Sequence, residues 1–132
     1  MVKQVELVVR SRLDELLKPY GVTALQYTAL TVLERHDGMS AARLARDSFV
    51  TAQSMADLVR ILEQRGLVRR ESLPSNRRER LIYLTDEARD LLAECADAVA
   101  DLERRMTRGL TVRQRDAFRS ALLTCRRALL DS

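Results

Sequence analysis

The chain has 132 residues, of which 46% are hydrophobic and 32% are charged, and its formal net charge is +4. This length predicts a single domain with enough apolar residues for a core. No apolar run approaches the ~20 residues of a membrane-spanning helix, and the N-terminus lacks the apolar segment of a secretory signal. Cys95 and Cys125 show no Cys-x-x-Cys spacing. We therefore expect a reduced, cytoplasmic protein with no membrane partner.

The positive charge is concentrated between Ser40 and Arg80, where nine arginines stand against five acidic residues. The rest of the chain is neutral overall. The planar guanidinium of arginine suits phosphate and guanine, so this excess favours a nucleic-acid partner, although an arginine-rich genome would give the same bias. Aromatic residues are few and are not interleaved with the basic ones, which argues against a platform for stacking single strands.

Residues 1–38 are predicted to form two helices. Apolar residues at helical spacing cover residues 2–18, and Pro19 and Gly21 end this helix. The second helix begins with the capping-box pattern Thr23-Ala-Leu-Gln26 and stops near Asp37-Gly38. Its core-facing residues are predicted to be Leu25, Ala29, Val32 and Leu33.

The next two helices have helix-turn-helix spacing. Ser40 caps a short helix that runs to about Ser48, and Phe49 and Val50 form a tight apolar turn. The fourth helix extends from Thr51, a capping residue, to Gly66, a residue that can close a helix. Its apolar face has Met55, Leu58, Val59 and Leu62, and its other face has Gln53, Ser54, Asp57 and Arg60. Alone, this pattern is typical of any surface helix, but its place after a short helix favours a helix that contacts base edges in a major groove.

After Gly66 the periodicity becomes that of strands. Leu67–Leu73 and Arg80–Leu84 are short and roughly alternating, and Pro74-Ser-Asn-Arg-Arg-Glu79 between them is rich in turn formers. This pattern predicts a β-hairpin with a basic tip. A helix-turn-helix followed directly by such a hairpin is a winged helix.

Two further helices follow the hairpin. Thr85-Asp-Glu starts a long helix that reaches about Arg108, Gly109 breaks it, and the capping box Thr111-Val-Arg-Gln114 starts the last one. We therefore expect a mainly α fold in one domain, with a winged helix-turn-helix over residues 23–84, a connecting helix over 85–109 and terminal helices over 1–18 and 111–132. The apolar stripes of both terminal helices have little to cover them in a monomer, which favours a homodimer joined through both ends of the chain.

The chain resembles the MarR family of winged-helix transcriptional regulators over nearly its whole length. Leu62-Glu-Gln-Arg-Gly-Leu-Val-Arg-Arg70 looks like the family's recognition helix running into its wing, and Pro74-Ser-Asn-Arg-Arg78 followed by Leu84-Thr85 is similar to the family's Asp-Pro-x-Asp-x-Arg wing. The second helix and the helix-turn-helix match less specifically, through Leu25–Leu33, Ser40–Ala45 and Thr51–Ser54.

The sequence departs from the family pattern at three positions. Leu73 and Asn76 stand where the wing usually has aspartates, although Asn76 can still make an Asx turn. Arg60 occupies a position that is often acidic in the family, where the acidic residue can pair with a wing arginine. That link between wing and helix is therefore in doubt here. Arg60 can instead contact a phosphate.

The resemblance implies a homodimeric repressor that binds a pseudo-palindromic site in double-stranded DNA and responds to a phenolic or other aromatic effector. Arg77 or Arg78 would enter a minor groove, and Gln53 is the best candidate for a base contact because its amide can pair with adenine. Ser40 and Arg43 would contact phosphates. The full set of candidate DNA-binding residues is Ser40, Arg43, Thr51, Ala52, Gln53, Ser54, Asp57, Arg60, Asn76, Arg77 and Arg78.

The remaining candidates have weaker signals. Tyr20 and Tyr27 lie where the family's effector pocket opens, and His36 could line it, but the sequence favours ordinary core packing of the tyrosines and a capping or surface placement of the histidine. Cys95 and Cys125 allow a redox-sensing regulator, although both lie on apolar stripes, where a cysteine is usually a small buried hydrophobe. A winged-helix dimer that lacks specific DNA binding is a further alternative. We expect no cofactor, no metal site and no enzymatic activity, because the sequence has one histidine and no catalytic motif.

Overall fold

A computed structural model of the chain describes residues 1–131, apart from the side chain of Arg77. Over these residues it contains six α-helices and one two-stranded antiparallel sheet. A 3-10 turn at Lys18–Tyr20, which contains Pro19, follows the first helix. The predicted mainly α fold with a β-hairpin wing is confirmed. The elements are α1 (Val2–Leu17), α2 (Ala24–Arg35), α3 (Ala41–Asp47), α4 (Ala52–Gln64), β1 (Val68–Leu73), β2 (Asn76–Leu84), α5 (Asp86–Met106) and α6 (Val112–Leu130).

Side-chain caps set where the helices begin. Thr23 accepts a hydrogen bond from the backbone N–H of Gln26, whose side chain accepts one from the N–H of Thr23, and Thr111 and Gln114 form the same box at α6. Thr85 accepts from the N–H of Ala88 and donates to the carbonyl of Gly66 at 2.7 Å. Each cap satisfies donors that a helix start leaves unpaired, which explains why these boundaries were predictable.

The chain divides into two compact units, Met1–Val99 and Ala100–Ser132. The buried core belongs to the first unit, where α2, α3, α4, the hairpin and the start of α5 each contribute. Its largest fully buried side chains are Leu17, Leu30, Leu33, Leu44, Met55, Val59, Leu62, Ile82 and Cys95. In the second unit, by contrast, every described residue from Thr111 onwards is exposed.

Two predictions about burial were wrong. Leu25 was expected in the core, but its side chain is 39% exposed, because the first turn of α2 lies beside α1 and turns Leu25 towards the gap between them. Cys125 was expected to be buried on its apolar stripe, but it is exposed, because α6 has no covered face in the chain as described.

The hairpin also differs from the prediction in its length. Its turn consists of Pro74 and Ser75 alone, and β2 already begins at Asn76, so the predicted six-residue loop was too long. The register is regular from the Val68–Leu84 pair to the Ser72–Arg80 pair, and then shifts so that Leu73 pairs with Asn76. A two-residue turn suffices to reverse an antiparallel pair, and the irregularity absorbs the extra residues of β2.

The segment between α2 and α3 holds the hairpin to the helices. Asp37 accepts a hydrogen bond from the N–H of Leu84 at 2.9 Å and pairs with Arg89 of α5 at 2.8 Å. Met39 and Ile82 form an isolated antiparallel bridge, which pairs the segment between α2 and α3 with β2. We call the segment Asp37–Met39 the wing anchor.

We expect Gly38→Ala to weaken the wing anchor and to lower the free energy of unfolding by about 1–3 kcal/mol, the range for backbone strain at such positions. Gly38 has a φ of +77°, and a Cβ there would come within 2.6 Å of the Tyr83 ring. Urea unfolding at fixed protein concentration measures the effect. Gly109→Ala is the matched control, because a Cβ at Gly109 meets nothing within 4 Å. Equal stability of the two variants would contradict the role of Gly38.

Candidate nucleic-acid interface

Helix α4 has one buried face and one exposed face, as the sequence predicts. Met55, Leu58, Val59 and Leu62 are all buried. On the other side Gln53, Ser54 and Arg60 are exposed, with Ala52, and Asp57 is half-buried. Packing of the apolar face therefore determines which polar side chains α4 presents to a partner.

The first turn of α4 contains hydroxyl groups that already bond to each other. Thr51 accepts a hydrogen bond from the backbone N–H of Ser54 at 3.1 Å, and its hydroxyl lies 3.0 Å from the Ser54 hydroxyl. Among the described residues, the Gln53 side chain has no hydrogen-bond partner. Gln53 is therefore the side chain of this turn whose full hydrogen-bonding capacity is available to a partner.

The arginines of the helix-turn-helix pair with carboxylates on their own helices. Arg60 lies 3.2 Å from Asp57, and Arg43 lies 3.5 Å from Asp47. Ser40 caps α3 by accepting a hydrogen bond from the N–H of Arg43 at 3.2 Å. Exposed pairs of this kind contribute only about 0–1 kcal/mol, so these guanidinium groups can exchange a carboxylate for a phosphate at little cost.

The hairpin tip presents basic residues on β2. Asn76 accepts a hydrogen bond from the backbone N–H of Arg78 at 3.1 Å, which is the Asx-type contact suggested by the sequence. Arg78 is exposed, whereas the side chain of Arg77 lies outside the described residues. Asn76 thus stabilises the backbone next to the turn, in place of the usual aspartates.

Two contacts that the sequence did not reveal position α4 and the hairpin. Arg70 of β1 lies 3.4 Å from Glu63 of α4, close enough for an ion pair but without hydrogen-bond geometry. This pair links wing and helix, a link that Arg60 had put in doubt. Arg65, at the end of α4, donates to the carbonyl of Gly21. Spacing alone could not show these contacts, because each partner is distant in sequence or on another element.

The residues considered for an effector pocket do not line the two concavities beside α1. Tyr20 and Tyr27 are half-buried and pack against the core, as ordinary core packing requires, and His36 is exposed at the end of α2. Two surface concavities of about 480 and 460 Å³ lie beside α1, and other residues line them.

The described residues, 1–131, contain no candidate metal site and no membrane-spanning helix. They contain no group of three or more His, Cys, Asp or Glu side chains arranged to hold a metal ion. No helix among them is long and apolar enough to cross a membrane.

The two cysteines lie in different environments. Cys95 is fully buried in the core, and burial, together with the charge of Glu94, raises the pKa of its thiol. Cys125 is exposed on α6. Because the thiolate is the reactive form, Cys95 is a poor candidate for oxidation.

The fold, with its exposed α4 and basic hairpin, is a winged helix-turn-helix. The MarR family model matches residues 20–79. The HTH-type transcriptional repressor Rv2887 of Mycobacterium tuberculosis is 31% identical over 122 residues, which cover 92% of this chain and 88% of that protein. The chain belongs to the MarR family.

Solved structures agree with this assignment. The crystal structure of Rv2887 in complex with salicylic acid aligns with a TM-score of 0.79 and 31% identity, over 94% of this chain and 92% of that one. A mutant of MarR from E. coli, complexed with operator DNA, aligns with a TM-score of 0.84 and 22% identity, over 94% and 89% of the two chains. The second likeness establishes the fold alone.

We expect iodoacetamide to leave Cys95 almost unmodified in the native protein at pH 7.5 and to alkylate it readily once the protein is unfolded. The pKa of Cys95 is raised, so its thiolate fraction is small at this pH and grows only as the pH approaches the thiol's pKa. Mass spectrometry of tryptic peptides measures both rates, and in 6 M guanidinium chloride Cys95 should react as fast as Cys125. Fast native modification of Cys95 would revive the redox-sensing alternative.

Proposed function

We propose that this transcriptional regulator is a homodimer that binds a pseudo-palindromic site in duplex DNA and represses transcription until a small aromatic effector binds. The exposed polar face of α4, held by its buried apolar face and followed by the basic hairpin, is the observation that carries the proposal. The DNA complex solved for E. coli MarR and the repressor name of Rv2887 support it.

In this proposal α4 lies in the major groove. Gln53 pairs with an adenine, and Asp57 can accept a hydrogen bond from a cytosine amino group. Ala52 and the hydroxyls of Thr51 and Ser54 lie at the same end of the helix, where they allow close approach. These short side chains suit a helix whose first turn faces the bases.

In this proposal the arginines contact phosphates and a minor groove. Arg43 and Arg60 exchange their intrahelical carboxylates for phosphates, with Ser40 beside Arg43. Arg77 or Arg78, at the hairpin tip, enters a minor groove, where narrow A·T tracts attract arginine. Release of counterions from the phosphates makes affinity strongly dependent on salt.

The apolar ends of the chain support the homodimer. Val5 and Val8 of α1 are at least half exposed. In the second unit, the end of α5 and α6 border an apolar cleft of about 480 Å³ that contains Phe118, Leu122 and Leu123. Apolar surfaces of this kind are usually covered in a stable protein, and a second copy is the economical partner. Two protomers would present two α4 helices to the two halves of a site.

The structure of a relative with a bound ligand suggests the chemical class of the effector. Rv2887 has been crystallised with salicylic acid, so a small aromatic acid is a reasonable first ligand to assay. Such a ligand acts if it binds one arrangement of the two α4 helices better than another.

We expect Gln53→Ala and Arg78→Ala to weaken DNA binding in different ways. Loss of Gln53 should cost about 1–3 kcal/mol at the specific site and little on unrelated DNA. Loss of Arg78 should weaken binding to the specific site and to unrelated DNA alike. It should also reduce the slope of log affinity against log salt concentration by about 1. Fluorescence anisotropy with the protein's own upstream region, at several salt concentrations, measures both quantities.

The control for these variants is Arg105→Ala, which removes the same charge outside the helix-turn-helix and hairpin. It should leave affinity and salt slope unchanged. If no footprint appears on the upstream region even at low salt, the DNA-binding proposal fails and the winged-helix interaction protein is the better interpretation.

We expect Val8→Asp and Leu122→Asp each to convert a dimer into a monomer, because a charge buried without a partner costs several kcal/mol. Size-exclusion chromatography with light scattering at micromolar concentration gives the mass directly. Ile61→Asp is the matched control, since Ile61 is a similarly exposed apolar residue on α4. A monomeric wild-type protein, or dimers that persist in both variants, would exclude this interface.

A further inference from the structure

The side chain of Arg65 connects the end of α4 to the end of α1. Arg65 directly follows the last residue of α4, and it donates a hydrogen bond to the carbonyl of Gly21, 44 residues earlier in the chain. Gly21 ends the 3-10 turn that continues α1, so this contact joins the C-terminal ends of two helices. Carbonyl groups at a helix end carry partial negative charge, which a guanidinium group complements. Arg43 and Arg60, by contrast, pair with carboxylates on their own helices.

Gly21 leaves the space that the Arg65 guanidinium occupies. Its φ of +74° lies in the left-handed region that favours glycine, and a Cβ at this position would lie 3.0 Å from Nη2 of Arg65. The backbone N–H of Gly21 donates to the carbonyl of Lys18 at 3.0 Å, which closes the turn. The corner between α1 and α2 is therefore shaped for a close approach by Arg65.

Asp14 of α1 makes a second contact across the same corner. Its carboxylate accepts a hydrogen bond from the backbone N–H of Ala24, the first residue of α2, at 2.6 Å. A carboxylate is favoured at the start of a helix, where the N–H groups are unpaired and the helix dipole is positive. Thr23 accepts from the N–H of Gln26, so the two side chains satisfy different donors of α2. The corner thus has an acidic group on the start of α2 and a basic group on the end of α1.

Packing alone holds only the last part of α1. Leu17 is the one buried residue of this helix, and Leu13 and Leu16 are partly buried against the core. The earlier turns of α1 extend away from these contacts. The angle between α1 and the winged helix-turn-helix therefore depends on what fixes the corner.

A small change of this angle has a large effect at the start of α4. The helix has 13 residues, which corresponds to a length of about 20 Å. A rotation of the winged helix-turn-helix by about 10° about the corner would displace the first turn of α4 by about 3 Å. One base-pair step of duplex DNA is about 3.4 Å. A rotation of this size would therefore change the position of each α4 helix by about one base pair.

We propose that Arg65 and Asp14 are positioning residues that fix the angle between α1 and the winged helix-turn-helix, and thereby the spacing between the two half-sites that the homodimer binds. This inference rests on the proposed function, because only a dimer joined through α1 converts the angle into a spacing. Arg65 acts through the carbonyl of Gly21, and Asp14 acts through the start of α2. Neither side chain contacts a base.

The angle is measured without DNA, as the distance between spin labels on α1 and on the first turn of α4. Gln4→Cys and Gln53→Cys supply the labelled positions, since both glutamines are exposed. The chain also carries Cys125→Ser, and Cys95 is buried, so neither native cysteine is labelled. Labelled protein is diluted with an excess of unlabelled protein, so that the distances recorded are those within one protomer.

We expect Arg65→Ala and Asp14→Ala each to shift or broaden the label distance by about 3 Å. Arg65→Lys keeps a donor and should restore most of the wild-type distribution. Arg35→Ala is the matched control, because it removes the same charge from an exposed position on α2, and it should change nothing. Thermal unfolding checks that each variant is folded at the temperature of measurement. Wild-type label distances in both Arg65→Ala and Asp14→Ala would overturn the proposal.

The spacing is measured separately, by fluorescence anisotropy with the protein's own upstream site and with sites whose centre is longer or shorter by one base pair. Wild-type protein should bind the unaltered site roughly 10-fold more tightly than the other two, which corresponds to the loss of about one base contact. Arg65→Ala and Asp14→Ala should reduce this preference to about 2-fold or move it to another spacing. Arg35→Ala should keep it.

The outcomes distinguish this inference from the proposed function. If Arg65→Ala weakens binding equally at all three spacings and keeps the preference, Arg65 contacts a phosphate, and its role in spacing is overturned. If wild-type protein binds none of the three sites, the proposed function fails. The label distances then still decide whether Arg65 and Asp14 fix the angle of α1.

Discussion

The burial of one face of α4 is the constraint on which the rest of the interface depends. Met55, Val59 and Leu62 are almost fully inaccessible, so α4 cannot rotate without exposing large apolar side chains. A rotation by one residue, about 100°, would turn polar side chains into the core. The exposure of Gln53 and Arg60 is thus a consequence of packing, and a DNA site meets a helix whose orientation is already determined.

The orientation of the hairpin depends on a second set of contacts. The wing anchor binds the hairpin through Asp37 and through the Met39–Ile82 bridge, while Arg70 links β1 to Glu63 of α4. These contacts hold the wing although Arg60 replaces the acidic residue common in the family. A basic residue at position 60 is therefore tolerated structurally, and its charge adds to the surface that would face phosphates.

Local signals made most of the fold predictable. The capping boxes at Thr23 and Thr111 and the apolar period of α4 depend on neighbouring residues, and each gave the correct element. The hairpin turn was predicted too long because Asn76 is typical of turns. Here Asn76 begins β2, and its side chain accepts a hydrogen bond from the backbone N–H of Arg78. Leu25 and Cys125 were misplaced because a helical stripe shows which residues share a face and not what covers that face. The pairing of Arg70 with Glu63 and the burial of the Ser48 hydroxyl both result from tertiary packing. Residue spacing in the sequence does not reveal tertiary packing.

The apolar residues of helix α1 point in different directions. Leu13 and Leu17 pack against the core. Val9 borders the concavity beside Ser48 and Phe49, whereas Val5 and Val8 present the apolar surface assigned to the partner protomer. In the proposed homodimer, a displacement of α1 would change the separation of the two α4 helices, since packed elements shift between discrete arrangements instead of deforming gradually. The separation of the two α4 helices, rather than the structure of α4 itself, is then the quantity that an effector of the proposed homodimer would control.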